Sequence, residues 1–182
     1  MLVGIEQDAI QSKQWDEVAR AIATRVLLEN SDRPGDDPQR LIDLDAAIQG
    51  APIHTRGALQ AIQANWTWTF FQMNRWRFAQ RTTQIKTDAD RNLSEINSWD
   101  LRRIVLEIHN QFEKALSGDR GLKELPVDDW AMLIEAGTMG KAYRPTLWDV
   151  VVRDAIAFHQ TGERGLVEPE DAFELEASSP AL

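Results

Sequence analysis

The chain has no cysteine, which excludes a disulfide framework, a thiolate metal site and a cysteine nucleophile while leaving the redox compartment open. No apolar run approaches the roughly 20 residues that span a bilayer, so direct membrane insertion is not expected. Positive charge is scarce. Lys and Arg number 20 against 29 Asp and Glu, a net charge of −9. That balance argues against a nucleic-acid or anionic-membrane partner, either of which would need a local basic patch. Residues 1–13, MLVGIEQDAIQSK, lack the basic-then-apolar layout of a secretion signal. Strand signals are missing too, since no segment sustains alternation of period two. The chain is otherwise ordinary for a soluble globular protein, with 43% hydrophobic and 27% charged residues. Its 182 residues make about one domain.

Helical periodicity organises the rest. Between Asp8 and Asn30, the residues Trp15, Val18, Ala19, Ile22 and Val26 form an amphipathic stripe, and Pro34, Gly35 and Pro38 turn residues 31–38 into a solvated loop. A short helix follows, with Leu41, Ile42, Leu44, Ala47 and Ile48 on its buried side and Gly50 as terminator. From His54 to Arg81 the apolar residues nearly encircle a helix. Ile62, Trp66, Phe70 and Met73 all fall within about 60° of Leu59, and Trp68, Phe71 and Phe78 lie on the other side. This helix is expected to be the central, most enclosed one.

The polar segment Thr82 to Asn97 reads as a loop. Ser98 is expected to open a helix carrying Leu101, Ile104, Val105, Ile108, Phe112 and Leu116, ended by Gly118. Pro126 starts a short helix with Trp130, Leu133 and Ile134 that stops at Gly137. Thr146 and Asp149 form a capping box, with Asp in place of Glu, at the head of a last helix closed by Gly162. The expected fold is all-α, a multi-helix bundle or irregular array of antiparallel helix pairs over residues 1–162. An extended acidic tail or linker, residues 163–182, follows it.

Catalytic and cofactor motifs are not found. His54, His109 and His159 are far apart and lack a zinc spacing, the string GTMGK lacks the spacing of a phosphate loop, and no serine sits in a nucleophile elbow. No catalytic residue, cofactor or metal is therefore assigned. The glycosylation-like string Asn65-Trp66-Thr67 lies inside the central helix, where modification conflicts with burial.

One stretch departs from the acidic background. Between Asn74 and Lys86 there are four basic residues, Arg75, Arg77, Arg81 and Lys86, and no acid. Arg77 and Arg81 fall in line with the apolar stripe of the central helix. One reading encloses both and pairs them with carboxylates such as Asp100, Glu107, Asp149 or Asp154, because an unpaired buried guanidinium is too costly. The other makes Asn74, Arg75, Trp76, Arg77 and Arg81 a recognition surface for an acidic segment. A nucleic-acid role is weaker, because nothing else in the chain continues the positive track.

The succession RVLLEN (25–30), NRWRFAQRT (74–82), SWDLRRIVLEIHNQFEKAL (98–116), AYRPTLWDVVVRDAIAF (142–158) and EPEDAF (168–173) resembles the N-terminal helical region of large bacterial proteins of the alpha-2-macroglobulin family. The resemblance implies a helical module ahead of β-sandwich domains in a secreted or periplasmic protein, within a family linked to trapping or inhibiting peptidases. Its partners would be other domains of a longer chain, or a protein or peptidase. The family's thioester needs a Cys-Gly-Glu-Gln string, so no reactive centre carries over to this cysteine-free chain. A stand-alone helical module that binds peptides through residues 74–82 is the alternative.

Overall fold

A helix that is apolar on most sides must be surrounded, and residues Arg56–Ala79 are. A computed structural model of the protein describes residues 9–33, 37–81, 92–117, 121–134 and 143–163. Five α-helices run through them: α1 (Trp15–Glu29), α2 (Gln39–Gly50), α3 (Arg56–Ala79), α4 (Leu101–Ser117) and α5 (Leu147–His159). Among the described residues there is no β-strand, only an isolated antiparallel bridge between Pro126 and Thr146. The fold is all-α.

Named contacts give the helix directions. Gln63 donates to Asp45 and the Arg40 guanidinium lies over the Trp66 ring, so α2 and α3 are antiparallel. Asn30 donates to Asp43 and Trp15 stacks on His54, which sets α1 antiparallel to α2. Arg81 reaches the Trp99 carbonyl, bringing the end of α3 to the start of α4. His109 meets His159 and Phe112 meets Phe158, as antiparallel α4 and α5 require. Consecutive helices thus alternate in direction, and α5 runs parallel to α3 through the pairs Asn65–Asp154 and Trp68–Phe158.

Between α4 and α5 the chain laps over the bundle. Arg20 of α1 pairs with Asp129 and lies over the Trp130 ring, and the Trp66 indole N–H donates to the Leu133 carbonyl. That bond satisfies the polar atom of a side chain only 1% exposed.

Several expectations need correction. The helix expected from Asp8 is interrupted: residues 9–11 are helical, Lys13, at φ 54°, breaks the helix, and α1 begins at Trp15. Residues Leu93–Ser98 form a 3₁₀ helix that buries Leu93 and Ile96 and is capped by the Asn92 side chain, where a loop is expected. Ser98 closes that turn, and Asp100 caps α4 by accepting from the Arg103 amide. The expected helix after Pro126 is a 3₁₀ turn, Val127–Trp130, continued by turn residues to Ile134. Met73, expected in the core, is 57% exposed. The endings at Gly118 and Gly137, the GTMGK string and the tail beyond Glu163 lie outside the described residues.

The capping box of α5 forms as its sequence predicts: the Thr146 hydroxyl accepts from the Asp149 amide, and the Asp149 carboxylate accepts from the Thr146 amide. Replacing Thr146 by Ala is expected to lower unfolding free energy by about 1 kcal/mol, read by urea denaturation.

Candidate functional site

The basic stretch occupies the last turns of α3, and helix length explains its surroundings. At 1.5 Å per residue, the 24 residues of α3 span about 36 Å and the 13 of α5 about 20 Å. Asn65 faces Asp154 and Trp68 meets Phe158, one residue before α5 ends at His159, so beyond that level α5 offers no cover on the Asn65 side of α3. Gln72, Met73, Arg75, Trp76, Ala79 and Gln80 are exposed there.

The structure divides the five candidate residues into two groups. Asn74 is 3% exposed and points inward: its amide donates to the Phe70 carbonyl and its oxygen accepts from Arg77 at 2.9 Å. Arg77 is half-buried. Arg81, also half-buried, donates to the Trp99 carbonyl at 2.7 Å and lies over the Phe78 ring. These three residues tie the end of α3 to itself and to the start of α4. Arg75 and Trp76 face outward. The Arg75 guanidinium forms an ion pair with Glu163, just beyond α5, and Trp76 is 63% exposed beside Met73.

The four carboxylates considered as arginine partners make the following contacts. Asp100 and Asp149 cap helices, and Glu107 accepts from Gln111. Asp154 accepts from Asn65, which is 2% exposed. Burial raises the Asp154 pKa above its ordinary value, opposed by the Asn65 hydrogen bond and by the charges of Arg144 and Arg153. Asn65 is thus engaged inside the protein and closed to glycosylation.

Two features escaped sequence reasoning. His109 and His159, fifty residues apart, meet edge to face at 5.8 Å. At the opposite end of α3 a concavity of about 560 Å³ is lined by Trp15, Asp16, Ile53, His54, Ala58 and the turn at residues 121–125. Both depend on contacts between distant segments and leave no local pattern. Among the described residues no group of three or more His, Cys, Asp or Glu could hold a metal ion, and no helix is long and apolar enough to cross a membrane.

Comparison with protein families, curated proteins and solved structures finds no match to this chain.

The division of the patch is measurable. Arg81→Ala removes a charged donor from a half-buried carbonyl and is expected to cost about 1.5–3 kcal/mol, whereas Trp76→Ala should stay within about 0.5 kcal/mol in the same denaturation assay. Asp154 predicts a pH effect. Its folded-state pKa exceeds its unfolded value, so the folded chain binds the proton more tightly, and this contribution to stability falls as pH rises from about 3.8 through the folded pKa. The stability of the native chain relative to Asp154→Asn should decline across that window and then level off.

Proposed function

We propose that this chain is the helical region ahead of the β-sandwich domains of a large bacterial alpha-2-macroglobulin-family protein, secreted or periplasmic. There it acts as a non-enzymatic scaffold, positioning later domains or a partner protein through the face around Trp76. The observation that carries the reading is the distribution of indoles. Trp66, Trp68, Trp99 and Trp130 are buried, Trp15 and Trp148 are half-buried, and Trp76 alone of the seven is exposed. An outward tryptophan flanked by arginine and methionine has the composition of a binding hot spot. The family reading rests on the order of the sequence blocks that suggest it, and the scaffold role on side chains committed to packing and capping.

A second reading, a stand-alone module that binds acidic peptides, is favoured by the ion pair of Arg75 with Glu163, in which this face already holds a carboxylate. Gene structure separates the two. An open reading frame that continues into several β-sandwich domains supports the scaffold, and one that closes at Leu182 defeats it. In that longer polypeptide, Trp76→Ala is expected to loosen the placement of the following domain, seen as a larger radius of gyration by solution scattering. An unchanged radius would remove the face from the scaffold role.

A further inference from the structure

The Trp76 face has a candidate occupant in the same chain. Glu163, only 7% exposed, forms an ion pair with Arg75, so the described residues end at the edge of this face. The next residues read RGLVEPEDAFELE from 164 to 176. They contain five acids, Glu168, Glu170, Asp171, Glu174 and Glu176, with the apolar pair Phe173 and Leu175 among them.

We propose that this acidic segment docks on the end of α3, with Phe173 against Trp76 and Met73 and its carboxylates in the field of Arg75, Arg77 and Arg81. The proposal rests on the reading of this face as an interaction surface and names its occupant. Through that contact the module would set the direction in which the chain departs.

Three observations support the fit. Charge is complementary, because the stretch from Asn74 to Arg81 carries three arginines and no acid in a chain of net −9. The exposed area is also of the right kind: Met73 and Trp76, 57% and 63% exposed, offer a thioether and an indole to an incoming ring. Reach is sufficient as well. Glu168 lies five positions after Glu163, a reach of up to about 17 Å, while Arg75 to Arg81 covers about 9 Å of helix. A tether this short holds the segment at millimolar effective concentration, so a contact too weak to survive between separate molecules persists. A guanidinium has five N–H donors, and Arg75 can serve a second carboxylate beside Glu163.

The test uses the whole 182-residue chain. The indole N–H of Trp76, assigned through Trp76→Phe, is followed by NMR in the presence of a soluble paramagnetic relaxation agent. Phe173→Ala, and separately the triple variant Glu170→Gln, Asp171→Asn, Glu174→Gln, are each expected to raise the relaxation of that proton at least about twofold, and salt at about 0.5 M to do the same in the native chain. Ser178→Ala, beyond the acidic stretch, should leave it unchanged. Equal relaxation in the native chain and both tail variants overturns the proposal. So does protection of Trp76 that depends on protein concentration, which would make the occupant a second copy. The scaffold reading is judged separately, by domain placement in the longer polypeptide: either can fail while the other stands.

Discussion

The structure depends on enclosing α3. A helix with indole and phenyl rings on most of its circumference is stable in water only when neighbours remove those rings from solvent. Here α1, α2, α4 and α5 all pack on it, and the segment over residues 121–134 completes the wrap. Enclosure also forces polar groups inward, where they need partners. Asn65 and Gln63 find them in Asp154 and Asp45, and the Trp66 N–H in the Leu133 carbonyl. These bonds fix which neighbour lies against which turn of α3, a selection that apolar contact alone does not make.

The same constraint explains the exposed face. Cover by α5 stops near Trp68, while α3 continues to Ala79. Past that point Asn74, Arg77 and Arg81 hold the helix end through hydrogen bonds to α3 itself and to the Trp99 carbonyl. Trp76 and Met73 are left outside because, among the described residues, no helix lies opposite them on this side. A mismatch in helix length thus creates an aromatic, positively charged surface on an acidic protein, and Arg75 joins it to the point where α5 ends.

Two surfaces of different character sit at the two ends of one rod. Near Ala58 lies the concavity with Trp15, His54 and Asp16, and near Arg75 lies the basic face, about 25 Å further along α3. Both belong to one helix, packed along its length by α1, α2, α4 and α5.

Helix class and the central place of α3 were legible because a 3.6-residue apolar period is a local property of the chain. The α5 capping box was legible for the same reason: Thr146 and Asp149 need only three residues of sequence to find one another. Met73 was misplaced because a wheel gives the angle of a side chain and says nothing about whether a neighbour extends to that height. The turns at Leu93–Ser98 and Val127–Trp130 were misread because their apolar residues are buried by distant helices rather than by a periodic face of their own. The patch shows the division within a few residues. Composition determined that a basic, aromatic stretch exists, and the packing of α2, α4 and α5 decided that Asn74 and Phe78 turn inward while Arg75 and Trp76 meet solvent. Burial is a relation between segments far apart in the chain, and only the folded arrangement specifies it.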